Sequence, residues 1–252
     1  MVVERIGFTP LKGARHVAHA DVTLDAHGPV GDRRWCLVDP ARDRVLRTVE
    51  NPSLLQAVAR ADGETLTVLL PSGQVAGVPE PTGDLRTVDY WGRDAKVELL
   101  DGPWSAAFSE HLGYDVRLAR PSRAGEVVYG GSVTLVTTSS MALLSERVGR
   151  PLGSERFRAT YLLDVEGLEP HGEDSWVGRE ITLGEATVRV RGVVPRCAVV
   201  DLDPESGVRD VPVLGTLAGY RRSDGEICFG VDAEITVPGR VRAGDPVVLG
   251  MD

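Results

Sequence analysis

Cys197 directly follows Arg196 in the segment VVPRCAVVDLDPESG (193–207), at the junction of two apolar runs. Pro195 ends strand pairing at this point because it has no backbone N–H to donate. Arg196 places a permanent positive charge beside the thiol, which favours the thiolate form. A thiolate is a nucleophile and a ligand for soft metals. The alternative interpretation of Cys197 is a small hydrophobic residue of the core.

The other two cysteines lack this setting. Cys36 lies inside RRWCLVD (33–39), where the alternation of side chains predicts either strand packing or a thiol on the solvent side. Cys228, in GEICFGVD, has an acidic neighbour. An odd count of three cysteines, without short metal-type spacings, argues against a disulfide framework and against a zinc knuckle.

The charge balance of the 252-residue chain restricts its partners. The formal net charge is −9, whereas a phosphate backbone requires a broad basic face, so we expect no nucleic-acid partner. Small anions are compatible with this balance, because a few local arginines are enough to hold them. The first residues, MVVERIGFTPLKGARH, contain no continuous apolar stretch. We therefore expect neither a signal peptide nor a membrane anchor, and a cytoplasmic protein.

Strand-like runs dominate the chain and predict a β-rich α+β fold. Residues 1–95 are predicted to form a small N-terminal β-barrel domain, and residues 96–252 a second, β-rich domain with a few helices. The predicted strands include RRWCLVD (33–39), VLRTV (45–49), ETLTVLLP (64–71), AKVELL (95–100), SVTLVTT (132–138), ATVRVRGVV (186–194) and CAVVDLD (197–203).

Three segments have helical periodicity instead. WSAAFSEHLG, after Pro103, places Trp104, Phe108 and Leu112 on one face. SSMALLSERVG has the same pattern, with Ser139 as the predicted N-cap and Gly149 as the terminator. The third segment is DVPVLGTLAGYR (210–221). These stripes are typical of ordinary core packing.

Several motifs, taken together and in order, resemble the MOSC domain, which is named for the C-terminal part of molybdenum cofactor sulfurase. The N-terminal part is similar to the β-barrel domain that precedes MOSC in a large subgroup, which includes the amidoxime-reducing components of mitochondria and their bacterial counterparts. The segments that carry the resemblance are TPLKGAR (9–15), GDRRWCLVDP (31–40), FR (157–158), EDSW (173–176), PRCAVVDLDPESG (195–207), TLAGYR (216–221), FGVDAEI (229–235) and PGRVRAGDPVVL (238–249).

The resemblance implies a molybdenum cofactor, a molybdopterin whose metal is bound by Cys197. A pterin-held molybdenum is a soft, thiolate-rich centre that one protein thiolate completes. The positions that match cofactor contacts of the family form an anion cradle, since a pterin phosphate is held by arginine, lysine, hydroxyl and backbone N–H donors. They are Lys12, Arg33, Gly131, Ser132, Arg158, Thr160 and Arg196, and the four cationic side chains among them are expected to converge on one cleft.

Two positions depart from the pattern of the amidoxime reducers. Thr160 stands where those proteins have Asn, and Asp232 stands where they have Tyr. A carboxylate near an anionic cofactor repels it unless the carboxylate is protonated or paired with arginine. We therefore expect Asp232 at the cofactor cleft as a catalytic residue, where it either supplies a proton or repels anionic substrates.

The resemblance implies a molybdenum-dependent oxidoreductase that reduces small N-hydroxylated or N-oxide compounds. Its electrons are expected from a separate donor protein, such as a ferredoxin or flavodoxin with its reductase, because the chain shows no ferredoxin-type cysteine cluster. Two alternatives stay open. Cys197 carries a persulfide in a sulfur-transfer protein, or the chain binds and stores the molybdenum cofactor without turnover.

Overall fold

The computed structural model describes residues 1–128 and 130–250. This part of the chain has three α-helices and twenty strands, so the fold is α+β and β-rich, as the sequence predicts. The helices are α1 (Trp104–Leu112), α2 (Thr138–Val148) and α3 (Val213–Ala218). The strands are β1 (Val2–Phe8), β2 (Val17–His19), β3 (Asp21–Asp25), β4 (Gly28–Pro29), β5 (Cys36–Asp39), β6 (Arg44–Val45), β7 (Val58–Asp62), β8 (Thr65–Leu70), β9 (Gly73–Gly77), β10 (Glu80–Tyr90), β11 (Arg93–Asp101), β12 (Arg117–Pro121), β13 (Val133–Thr137), β14 (Tyr161–Asp164), β15 (Glu180–Leu183), β16 (Ala186–Pro195), β17 (Arg222–Ser223), β18 (Glu226–Val237), β19 (Gly239–Arg242) and β20 (Val247–Leu249).

The largest sheet has nine strands and joins the two ends of the chain. Its order is β2-β1-β14-β13-β18-β16-β15-β20, with β17 paired to β18. The first strand, β1, pairs antiparallel with β14, so that Ile6 lies opposite Tyr161. Alternate residues of β16, namely Ala186, Val188 and Val190, are buried in the main core, as the period of two along a half-buried strand requires.

A closed barrel is formed by β10, β11, β12, β5 and β6. Cys36 lies in it and is fully buried, so the strand-packing interpretation of this cysteine is correct. β12 (Arg117–Pro121) closes the barrel by pairing with both β11 and β5. The predicted domain boundary between residues 95 and 96 falls inside β11, and the division of the chain at this position stays a prediction.

The three predicted helices are present. Trp104 and Phe108 of α1 are fully buried in a second hydrophobic cluster. Helix α2 ends at Gly149, as predicted, but its N-cap is Thr137 and not Ser139. The Thr137 hydroxyl accepts the backbone N–H of Ser140 at 3.3 Å, which satisfies one of the free donors of the first turn. Among the described residues, no helix is both long and apolar enough to cross a membrane.

Two predicted strands are wrong. The segment CAVVDLD forms a 3-10 helix over Ala198–Asp201, since the Asp201 carboxylate accepts the backbone N–H of Leu214 at 2.7 Å and pairs with Arg209. In VLRTV only Val45 lies in a strand. The first change has a direct consequence, because Cys197 lies between the end of β16 and this 3-10 helix.

The turn that follows the 3-10 helix packs against the 3-10 helix Pro52–Gln56. The Gln56 side chain donates to the Ser206 carbonyl at 3.0 Å, and Arg15 donates to the Glu205 carbonyl at 2.8 Å. Gly207 has a φ of +74° and lies so close to the Pro52 carbonyl that a Cβ would overlap with it. The absence of a side chain at Gly207 is therefore required by both conformation and space.

We predict that Gly207→Ala destabilises the protein by about 2–4 kcal/mol, from left-handed strain plus overpacking against backbone. Gly225→Ala is the matched control: its φ is +84°, but a Cβ there meets nothing within 4 Å, so strain alone costs about 1–2 kcal/mol. Urea unfolding of both variants measures the difference. Equal losses would contradict the close packing of Gly207.

Candidate functional site

Four cationic side chains, distant in sequence, line one cavity of about 320 Å³. They are Lys12, Arg33, Arg158 and Arg196, so the expected convergence of these residues is observed. Cys197 lines the same cavity. Because like charges repel, their placement around one cavity indicates a site for an anionic ligand.

Arg196 is held by backbone carbonyls. Its Nε donates to the Phe229 carbonyl at 2.8 Å, and its Nη1 donates to the Phe157 carbonyl at 2.9 Å. The guanidinium also lies 5.4 Å from the centre of the Phe157 ring, a cation–π contact. Burial lowers the pKa of Arg196 to about 10, against the opposing effect of Cys197. Nη2 is buried and has no hydrogen-bond partner in the described part of the chain.

Arg158 and Arg33 have left-handed backbone conformations, with φ of 52° and 47°. Non-glycine residues rarely adopt such angles, and they concentrate at functional sites. Arg158 donates to the Ala14 carbonyl at 2.8 Å, and burial, followed by the charge of Arg33, lowers its pKa to about 10. Arg33 forms an ion pair with Asp32. Of the two arginines, Arg158 therefore keeps a charge that no carboxylate pairs among the described residues.

Lys12 follows β1, and its backbone N–H donates to the Trp35 carbonyl at 2.8 Å. Its ammonium lies 4.7 Å from the centre of the Tyr90 ring. Burial, followed by the charges of Arg33 and Arg158, lowers the pKa of Lys12 to about 7. Within residues 1–128 and 130–250 this amine forms no ion pair, so its charge is destabilised by its surroundings.

Cys197 is exposed, whereas Cys36 and Cys228 are buried. Burial raises the pKa of Cys36 to about 12 and also raises that of Cys228. Cys197 is thus the accessible thiol, and it lies beside the charge of Arg196. This contrast agrees with the distinction that the sequence draws between Cys197 and the other two cysteines.

Gly131, Ser132 and Thr160 also line the cavity. Thr160 is buried, with 6% of its surface exposed. Its hydroxyl accepts the Thr134 backbone N–H at 3.1 Å, and the Thr134 hydroxyl accepts that of Thr160 at the same distance. A Cβ on Gly131 would lie 2.9 Å from the Ala233 carbonyl oxygen. Close packing against β18 therefore accounts for this glycine.

Asp232 lies behind the loop that contains Gly131. Its carboxylate accepts the Gly131 backbone N–H at 2.6 Å, and it is not among the residues that line the cavity. In this structure the contact of Asp232 is with the loop that carries Ser132. Its assignment as a catalytic residue stays a prediction.

Sequence reasoning did not identify several other lining residues, among them Trp91 and Glu226. Trp91 lines the cavity from the turn between β10 and β11, with a φ of 58° and the Arg47 guanidinium 4.4 Å from its ring centre. Glu226 lines it from the start of β18. The dipeptide Trp91-Gly92 was a usable signal, because a bulky residue at a two-residue hairpin turn is unusual.

Residues 125–248 match the MOSC domain. The chain is a MOSC-domain protein. The MOSC domain contains Cys197, Arg196 and Arg158, whereas Lys12 and Arg33 precede it. The cavity is therefore lined both from within and from outside the MOSC domain.

Relatives of this MOSC-domain protein are known in animals and plants. Mitochondrial amidoxime-reducing component 1 of Mus musculus and that of Homo sapiens are each 24% identical, over 98% of this chain and 82% of their own. Molybdenum cofactor sulfurase of Oryza sativa is 25% identical over 88% of this chain, which spans only 31% of that protein. The YUAD protein from Bacillus subtilis has the same fold, with a TM-score of 0.50, 13% identity and coverage of 100% of this chain and 96% of its own.

We predict that Lys12 makes the stability of the unliganded protein increase with pH. The pKa of Lys12 is about 7 in the folded protein and 10.5 ordinarily, so between these values the unfolded chain binds more protons than the folded one. The free energy of unfolding of wild type relative to Lys12→Met should therefore rise from pH 7 to pH 9.5.

Urea unfolding in phosphate-free buffers at several pH values measures this difference. Lys96→Met is the matched control, since Lys96 is the other lysine of the chain and is exposed. It should leave the pH dependence as in the wild type. Parallel curves for wild type and Lys12→Met would show that the amine is not buried as described.

Proposed function

We propose that the chain is a molybdenum-cofactor-dependent oxidoreductase that reduces N-hydroxylated or N-oxide compounds. The observation that carries the proposal is an exposed thiol, Cys197, on a cavity lined by Lys12, Arg158 and Arg196, which have no carboxylate partner in the described part of the chain. The names of the amidoxime-reducing relatives support it.

The residues present fit an anionic cofactor with a soft metal. Among the described residues the buried Nη2 of Arg196 lacks an acceptor. The pKa of Lys12 is lowered first by burial and then by the charges of Arg33 and Arg158, and an anion would compensate these charges. Arginine and lysine are the side chains that hold phosphate. Cys197 offers the thiolate that a molybdenum centre takes from protein. We assign Cys197 as the metal ligand and Lys12, Arg33, Gly131, Ser132, Arg158, Thr160 and Arg196 as the cofactor-binding residues.

The molybdenum cofactor, when bound, supplies the two-electron chemistry that breaks the N–O bond. The balance is RNHOH + 2e⁻ + 2H⁺ → RNH₂ + H₂O, with electrons from a separate donor protein. The residues of this chain position the cofactor and compensate its negative charge. Arg196, anchored on two carbonyls, cannot follow a ligand and therefore presents a fixed charge beside Cys197.

A sulfur-transfer function is the second candidate. The accessibility of Cys197 suits a persulfide, which must reach an acceptor, and one relative is named a molybdenum cofactor sulfurase. In that case the protein carries sulfur on Cys197 without bound molybdenum. The two functions therefore differ in the molybdenum content of the purified protein, which can be measured.

We predict about one molybdenum and one pterin per chain after expression in a molybdenum-replete host. Cys197→Ser should lose bound molybdenum and reduce N–O cleavage at least a hundredfold, because a hydroxyl is a poor soft-metal ligand. Elemental analysis, pterin fluorescence and turnover of benzamidoxime with an artificial reductant measure these quantities.

Cys228→Ser is the matched control, since Cys228 is buried away from the cavity lining, and it should keep both metal and activity. Unfolding curves establish that each variant is folded. A persulfide mass shift on Cys197 without molybdenum would favour sulfur transfer. Full activity of Cys197→Ser would overturn both functions.

A further inference from the structure

The charged residues of the cavity lining divide into paired and unpaired groups. Three arginines have carboxylate partners outside the lining: Arg33 with Asp32, Arg47 with Glu50, and Arg156 with Asp210. The remaining cations are those assigned above to the anionic cofactor. Glu226 is the one carboxylate among the described residues that line the cavity.

Glu226 is unpaired. No hydrogen bond or ion pair of its carboxylate exists within residues 1–128 and 130–250, although the protein has 28 lysines and arginines, which offer many partners. In a cavity lined by cations, a carboxylate that forms none of the available ion pairs is free to meet a ligand.

The backbone holds Glu226 beside the segment that carries the thiol. The carbonyl of Ile227, the next residue, accepts the backbone N–H of Arg196 at 2.8 Å. Glu226 also pairs with Ser223 across a two-residue turn, in which Asp224 and Gly225 have φ of 49° and 84°. Turns of this kind match the twist of the strands that they join. The position of the Glu226 backbone relative to Cys197 is therefore set by the sheet.

We propose that Glu226 is a specificity-determining residue that selects N-hydroxylated or N-oxide substrates with a separate cationic group, such as an amidinium or guanidinium, near the N–O group. This inference rests on the proposed function. When an anionic cofactor compensates Lys12, Arg158 and Arg196, Glu226 is the charged residue of the described cavity lining that still has no partner. A planar cation can donate two hydrogen bonds to a carboxylate, whereas a neutral isostere gains less and an anion is repelled.

Binding of unreactive probes to the molybdenum-loaded protein tests the proposal. Benzamidine is the cation, benzamide the neutral isostere and benzoate the anion. Titration calorimetry should show that wild type prefers benzamidine to benzamide, and that Glu226→Gln lowers this preference about fivefold, the range of an exposed charge pair. The effect should shrink in 0.5 M salt, which screens exposed charges.

Glu234→Gln is the matched control. It removes the same charge from the same strand, β18, at an exposed position outside the cavity lining, and it should keep the preference for benzamidine. The same ratio in wild type and Glu226→Gln would overturn the proposal. So would a change confined to the KM for the electron-donor protein, which would assign Glu226 to protein docking.

Failure of the proposed function has a separate signature. Molybdenum and pterin are counted in the same preparation. A protein without molybdenum that still shows a Glu226-dependent preference for benzamidine would overturn the reductase function and keep the cation site. A molybdenum-loaded protein without that preference would overturn the Glu226 proposal alone.

Discussion

The structure depends on holding unpaired positive charges side by side around one cavity. Such charges repel one another, and burial makes the repulsion stronger because the local dielectric is low. The chain fixes them with backbone acceptors: Arg196 donates to the carbonyls of Phe157 and Phe229, and Arg158 donates to that of Ala14. Backbone carbonyls stabilise the guanidinium groups without cancelling their charge. The cationic character of the cavity is therefore preserved for a ligand.

Strand pairing explains how residues distant in sequence meet at this cavity. The backbone N–H of Gly7, in β1, donates to the Thr160 carbonyl at 2.8 Å, so the segment after β1 lies beside the segment before β14. This register brings Lys12 close to Arg158. In the same sheet Pro195 of β16 lies opposite Cys228 of β18, which places Arg196 against the Phe229 carbonyl. Two strand pairs thus set the site.

Local patterns in the sequence predicted helices and the setting of individual residues, but they did not predict which strands pair with each other. The three helices and the exceptional setting of Cys197 follow from periodicity and neighbours, whereas the alternation around Cys36 left strand packing and a solvent-side thiol as alternatives that only the structure separates. The pairing of β1 with β14 did not follow, because a local pattern does not name a strand's partner. CAVVDLD has the apolar run of a strand, yet the contacts of Asp201 with Leu214 and Arg209 convert it to a 3-10 helix. Trp91 and Glu226 reach the cavity only through tertiary structure.

The cavity charges respond differently to pH. Arg158 and Arg196 have pKa values lowered only to about 10, so they stay cationic at neutral pH. Lys12, with a pKa lowered to about 7, is near its midpoint there. An anion in the cavity opposes the repulsion from Arg33 and Arg158 and must raise the pKa of Lys12 again. Anion binding and protonation of Lys12 are therefore coupled. Above pH 7 a bound anion favours the protonated form of this amine. Arg158 and Arg196 attract the anion as well, and their contribution does not change with pH in this range.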